Sequence, residues 1–304
     1  MGRGEAQMVE TARGTGEGRS NEIAARLRAL IGQPQVSEAY VRFRLDLLAA
    51  QQAARRALAA MAAHSRAVCT TPRLPVGADD VAFPTDVLGR LLQAIRAAAI
   101  AHGRETEDIQ RLSAAAAADP DVLPPLAAAA AFGPDVEKLE FLARRWRVYV
   151  DALLFVGRTL ASPCLAEAVR ICAPTAGVRD NPAAAHRCPA CGSSPSVARL
   201  RRADGLRLLT CGLCGTEWEA VRLSCACCGT LDRDSLGVLR LDDADVRWIE
   251  TCERCKGYVK TVDERKLPEG ETVFPVVEEA ATLHLDLLAE REGYIRRVPY
   301  VLSG

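Results

Sequence analysis

The chain has 304 residues, enough for one large or two ordinary domains with real cores, and 39 basic residues balance 39 acidic ones. That balance provides no global field to draw the protein onto nucleic acid or an anionic membrane. No run reaches the ~18 uninterrupted apolar residues that crossing a bilayer needs, and the N-terminal MGRGEAQMVETARGTGEGRSNE has no apolar signal core, so the expectation is a soluble cytoplasmic protein without membrane insertion.

Residues 1–20, rich in Gly, Arg and Glu, are predicted to be a disordered tail. Residues 21–175 then show helical periodicity and helix punctuation and are predicted to form an all-helical domain. Ser37 is placed to cap a helix running through Tyr40, Phe43, Leu47 and Leu48 toward His64. Pro72, Pro75 and Pro84 mark a loop, and Thr85 or Asp86 starts a second helix that ends near Gly103. A third covers about 105–118 and stops at Asp119-Pro120; a short piece over 126–131 closes at Gly133-Pro134. The next begins near Asp135, with Leu139, Leu142, Trp146, Tyr149, Leu153 and Phe155 on one buried face. The apolar stretch Val148–Ala161, interrupted by Asp151 and Arg158, is expected to be a buried helix, and 163–172 a further one before a linker at 176–187. Alanine is the best helix former, so the Ala runs at 114–118 and 127–131 point to close-packed helices. Cys69, Cys164 and Cys172 are expected to be buried free thiols that behave as small hydrophobes.

From Cys188 the pattern changes to short strands. Ser196–Arg201 and Leu206–Thr210 flank Ala203-Asp204-Gly205, a hairpin signal, and TEWEAVRL (216–223) alternates as a third strand would. Strands at 235–241, 246–251 and 258–262 follow, so that knuckle, hairpin, knuckle and strand occur twice. Eight of the twelve cysteines punctuate this plan as Cys-x-x-Cys pairs: Cys188/Cys191, Cys211/Cys214, Cys225/Cys228 and Cys252/Cys255. Two intervening residues let a tight turn aim both sulfurs at one ion, and two such turns close a tetrahedron. The repeat predicts one site from Cys188, Cys191, Cys211 and Cys214 in a module at 188–224. It predicts a second from Cys225, Cys228, Cys252 and Cys255 in a module at 225–267. Pairing Cys211/Cys214 with Cys225/Cys228 instead would sacrifice a strand. Residues 268–304 are expected to form a C-terminal helix through Leu283, Leu287 and Leu288, with a tail. The fold class expected is α+β, multidomain: an all-helical N-terminal domain, two tandem rubredoxin- or zinc-ribbon-like four-cysteine modules, and a C-terminal helix.

Neither hairpin has enough apolar residues for a core of its own, so each module needs its metal to fold. Four thiolates suit zinc or iron and leave no open coordination position, which argues against a hydrolytic centre. Spacing favours structural zinc, although CPACG (188–192) is a form shared by rubredoxins and zinc ribbons. Cys227 could replace Cys228 as ligand, but the pair spacing and the following Gly229 favour Cys228. His186 could donate to a ligand sulfur, though a solvated linker side chain is the expectation. No Walker, GxGxxG, GxSxG or HExxH pattern is present, and no catalytic residue is assigned. Between His186 and Lys266, 14 Lys/Arg face 12 Asp/Glu, too even a balance for a nucleic-acid footprint. Arg199, Arg201, Arg202 and Arg207 cluster there, and solvated strand faces are expected for them.

CPACGSSP (188–195), GLRLLTCGLCGTEW (205–218), VRLSCACCG (221–229) and TCERCKGYVK (251–260) resemble the formate dehydrogenase accessory protein family, FdhE. EREGYIR (290–296) and YVRF (40–43), followed by Ala49-Ala50-Gln51, are similar as well; the likeness is loose in the Ala-rich helices and dense in the cysteine-rich half. The extra Cys227 departs from the family pattern. The resemblance implies a non-catalytic factor that assists biogenesis of molybdenum- or tungsten-dependent respiratory formate dehydrogenase by binding its catalytic subunit in the cytoplasm before twin-arginine export. It implies that the eight paired cysteines hold two metal ions, with iron bound in a rubredoxin-like manner, and that Tyr40, Phe43, Glu217, Trp218, Tyr258, Lys260, Glu292, Gly293 and Tyr294 occupy motif positions. The other readings are a zinc-ribbon protein that binds nucleic acid and a rubredoxin-like iron redox protein.

Overall fold

The computed structural model describes residues 17–64, 74–132, 135–172, 186–242 and 246–296. The chain divides into two compact units, one taking in residues 24–177 and the other residues 193–298.

The first is built of helices. α1 spans Glu17–Arg28, α2 Glu38–His64, α3 Thr85–Ala101, α4 Glu107–Ala118, α5 Leu123–Ala131, α6 Val136–Trp146 and α7 Val150–Cys172. α1 begins inside the segment expected to be a disordered tail; residues 1–16 lie outside the described residues. Local chemistry sets several starts: the Thr106 hydroxyl accepts from the Ile109 N–H, and the Asp135 carboxylate from the Lys138 N–H at 3.0 Å. The alanine run of α5 works by letting helices approach. A Cβ on Gly157 of α7 would lie 2.6 Å from that of Ala130, and Ala127, Ala130 and Ala131 are buried.

The long helix expected from Asp135 through Phe155 is broken. Arg147 adopts left-handed φ (+56°) and caps α6, donating its N–H to Ala143. No Gly or Asn announces this stop. The separate helix expected at 163–172 is instead the second half of α7, which continues through Pro163. Proline removes the donor that would satisfy the Thr159 carbonyl, and the Gln51 side-chain amide of α2 supplies one at 3.4 Å. α7 is long and apolar enough to cross a membrane by length and composition, but 78% of its apolar window is buried within the structure, as for a core helix. Tyr40 and Phe43 are buried, Phe43 packs against Phe155 with ring centroids 6.4 Å apart, and the Arg104 guanidinium covers both Tyr40 and Phe43. Cys164 is buried and free, its thiol pushed up to about 12 by burial. Cys172 is disulfide-bonded, which corrects the expectation of a free thiol. Cys69 lies outside the described residues.

The second unit carries a sheet. β1 spans Pro195–Leu200, β2 Arg207–Cys211, β3 Glu217–Glu219, β4 Leu236–Leu239, β5 Arg247–Cys252 and β6 Gly257–Asp263; α8 (Pro275–Ala281), α9 (Leu283–Arg291) and β7 (Ile295–Arg296) follow. Each half of the repeat is an antiparallel three-stranded meander, and the two join edge to edge in the order β3-β2-β1-β6-β5-β4, with β7 also on β6. The junction is a parallel pairing that sets Val197 opposite Lys260 and Leu200 opposite Asp263. The modules expected as tandem ribbons therefore share one sheet. The third strand expected over 216–223 shortens to three residues, after which Val221 and Leu223 are exposed.

The expected single C-terminal helix is two, divided at Thr282, whose hydroxyl donates to the Glu278 carbonyl. Leu285 and Ala289 pack on Ile249 and Tyr258 of the sheet, while Leu287, expected to be buried, is 68% exposed. Under these helices lies a buried ionic cluster. Lys260 Nζ meets Asp286 at 2.6 Å, the Tyr258 hydroxyl donates to the same carboxylate at 2.8 Å, and Arg296 pairs with Glu279. Such pairs add little net stability but leave a costly unpaired charge in any other register.

Candidate metal centres

The knuckles share one turn. The N–H of Cys188 donates to the carbonyl of Ser193, that of Cys211 to Thr216 and that of Cys225 to Thr230, at 2.8–2.9 Å. In these three the residue after the second cysteine is a glycine at positive φ, namely Gly192 (+71°), Gly215 (+78°) and Gly229 (+74°). In the fourth that place is taken by Lys256, at +52°. The turns aim backbone amides at sulfur: Leu213 and Cys214 donate to Cys211 Sγ, Cys227 and Cys228 to Cys225 Sγ, and Gly257 to Cys255 Sγ, at 3.3–3.5 Å. Such donors favour the thiolate.

The structure brings together Cys188, Cys191, Cys211 and Cys214, and separately Cys225, Cys228, Cys252 and Cys255, with the sulfurs of each group within 4.8 Å of one another. Sulfur separations are 3.6 Å for Cys188–Cys214, 3.7 Å for Cys225–Cys255 and 3.9 Å for Cys228–Cys252. A tetrahedron with metal–sulfur bonds near 2.3 Å has edges of about 3.8 Å. The donor sets thus fit a four-thiolate ion in type, number and spacing.

The two clusters differ in their surroundings. All four cysteines of the first are buried, whereas Cys228 and Cys255 of the second are partly exposed. In the second cluster the Cys225 thiol is held below its usual range, first by the neighbouring Cys227, with the backbone amides of Cys228 and Cys227 assisting. Burial pushes Cys255 up to about 12 and raises Cys252. Burial disfavours several uncompensated thiolates side by side, and a cation among the sulfurs offsets that cost.

Cys227 lies outside the four-sulfur cluster; its thiol faces the Tyr258 carbonyl at 3.6 Å. His186 is not a solvated linker side chain. Its ring covers Gly229, where a Cβ would come within 2.5 Å of Nδ1. Of the four clustered arginines, Arg201 and Arg202 lie toward solvent as expected, whereas Arg199 and Arg207 do not. Arg199 forks between Glu217 and Glu264, Arg201 pairs with Asp204, and Arg202 donates to the carbonyls of Leu267 and Pro268. Arg207 is fully buried, 2.5 Å from Glu250 on β5 and bonded to the carbonyls of Val221 and Ser224 in the inter-module linker. Sequence reasoning missed this clamp, although an arginine on a strand whose other members are mostly apolar or cysteine was a usable signal. The motif residues Glu217, Trp218, Tyr258 and Lys260 all have partners or burial inside the unit. Tyr294 bonds Glu253 and lies under Lys256, and Gly293 turns the chain there at φ +83°.

The cysteine-rich half matches two family models, "FdhE, central domain" over residues 187–222 and "FdhE, C-terminal domain" over 223–302. Over residues 187–302 the chain is similar to the FdhE family. A protein FdhE homolog of Aquifex aeolicus is 39% identical over 112 residues, covering 36% of this chain and 38% of the relative. Protein FdhE of Escherichia coli O127:H6 is 37% identical over 121 residues, 38% of each chain. The matches thus span well under two thirds of these FdhE relatives. The crystal structure of the FdhE protein from Pseudomonas aeruginosa aligns at 22% identity with a TM-score of 0.49, covering 92% of this chain and 93% of that one.

Proposed function

We propose that the protein is an accessory factor for respiratory, molybdenum- or tungsten-dependent formate dehydrogenase, and that it binds the enzyme's catalytic subunit in the cytoplasm before export. Cys188, Cys191, Cys211 and Cys214 hold one metal ion in this reading, and Cys225, Cys228, Cys252 and Cys255 a second, each iron or zinc. The observation that carries it is the pair of four-sulfur clusters built into a single sheet within the segment that matches the FdhE domains. When bound, the ions supply cross-links that replace a conventional core. The chain's own residues do the rest: amides orient and stabilise the thiolates, Arg207 ties β2 to β5, and α8 and α9 cover one sheet face. A tetrahedron of four thiolates leaves no position for a substrate, so the output of this architecture is a shaped surface and the role is that of a non-catalytic factor. Residues 188–224 and 225–267 act as its two metal-binding modules.

Affinity purification of the tagged chain from anaerobic cells growing with formate tests the reading. Recovery of the catalytic subunit, lost when Cys188 and Cys191 are changed to serine, is the expected result; a chain recovered without it overturns the proposal. The visible spectrum of the same sample assigns the metal, because four-thiolate iron absorbs there and zinc does not.

A further inference from the structure

The internal repeat shows where the sheet would grow. In the first module the outer edge of β1 is filled by β6, which runs parallel to it. The equivalent strand of the second module is β4, and β4 is the end of the sheet, paired only with β5 among the described residues. Its sequence, Leu-Gly-Val-Leu, has no charge or proline of the kind that blunts exposed edges. The Glu253 N–H donates to the Ser235 carbonyl, so the alternation of an antiparallel pair turns the peptide groups of Leu236 and Val238 away from β5, toward the open side.

A cavity of about 270 Å³ adjoins this edge, on the sheet face opposite the one that Leu285 and Ala289 cover. Its wall carries Trp248, the half-exposed Leu223 and Val238, and three arginines: Arg222, Arg233 and Arg240. Among the described residues none of these arginines pairs with a carboxylate, and Arg240 lies 4.3 Å over the Trp248 ring. The one acid in the wall, Glu250, is engaged by the buried Arg207. An open strand edge beside an apolar hollow ringed by uncommitted guanidinium groups is complementary to one class of ligand.

We propose that the β4 edge and this cavity form the docking site for an extended, carboxylate-bearing peptide segment of a partner protein, which adds to the sheet as β6 adds to β1. An apolar side chain of the segment enters the cavity while its Asp or Glu side chains meet Arg222, Arg233 and Arg240. The proposal rests on the accessory-factor reading only for the identity of the partner, the formate dehydrogenase catalytic subunit.

The test uses the full-length, metal-replete chain and a fluorescein-labelled peptide of alternating glutamate and valine, followed by anisotropy. A peptide with lysine in place of glutamate serves as control. The acidic peptide is expected to bind and the lysine peptide not to. Affinity is expected to fall at least tenfold in the double variant Arg233→Glu, Arg240→Glu, and also in Val238→Pro, which removes an outward N–H but no ladder hydrogen bond. Circular dichroism and metal content check that both variants are folded. Equal binding of the two peptides, unchanged affinity in the folded variants, or self-association of the chain abolished by the same substitutions overturns the proposal; the last would make the occupant a second copy. Pull-down of the catalytic subunit separates the two readings. Equal capture by wild type and double variant sinks the docking site alone. Binding of the acidic peptide without capture of the subunit by wild type supports the site and sinks the partner assignment.

Discussion

The two cysteine clusters are built from the same turn and serve in different settings. The first is enclosed, with all four cysteines buried and its module's β1 edge covered by β6. The second is partly open, with Cys228 and Cys255 half-buried, a fifth cysteine beside it and, among the described residues, an unpaired strand edge next door. What separates them is position in the sheet, not ligand chemistry. Each module is joined along one edge and ends the sheet at the other, the first at β3 and the second at β4, so the repeated turn sits in unlike surroundings in its two copies.

The largest effect expected is on folding. Cys211→Ser removes a ligand from the enclosed cluster, and a structural four-thiolate site contributes on the order of 10 kcal/mol, comparable to the whole stability of a domain. Loss of both ions and of the strand signal in circular dichroism is expected, whereas Cys255→Ser should retain one ion per chain. Loss of both ions from Cys255→Ser would break the contrast.

Arg207→Ala should cost about 3–5 kcal/mol, because it strands the Glu250 charge and frees the linker carbonyls. The modules should then unfold in two transitions rather than one, which calorimetry reads. A competing chelator should remove one equivalent of metal about tenfold faster than the other, the fast one from the cluster with exposed ligands. Cys227→Ala should leave metal stoichiometry unchanged. Equal release rates would show that exposure does not distinguish the sites.

The smallest effect is at Lys256, the only non-glycine after a knuckle and one held at positive φ. Lys256→Gly should relieve up to ~1 kcal/mol of left-handed strain, offset in part by the lost contacts with Glu253 and Tyr294. A higher urea midpoint is the expected readout.

Much of this was legible in the residues. Cysteine spacing and the repeat grouped the sulfurs as the structure does, because a metal knuckle is a local turn whose signal lies within a few residues. Helix periodicity likewise located α2 to α5. What was missed depends on distant partners. Arg147 stops a helix without Gly or Asn, and Pro163 passes inside one because Gln51, far off in sequence, satisfies the orphaned carbonyl. The parallel joining of β1 to β6 and the burial of Arg207 have the same origin, since no local pattern encodes which edges meet. The exposed Leu287 shows the limit of reading a helix face from apolar spacing, because α9 turns Leu285, Asp286 and Ala289 inward and Asp286 is buried against Lys260.

The β1–β6 pairing has a consequence for synthesis. Val197 leaves the ribosome long before Lys260, the residue it faces across the sheet. The first module can therefore close its knuckles and load its ion while the neighbouring edge is still bare, and it stays bare until the last strand of the repeat emerges. Closure over so long a loop is slow compared with hairpin formation. During that interval the nascent chain exposes the β1 edge that the finished sheet covers, so metal supply during translation should govern how much protein reaches the finished sheet.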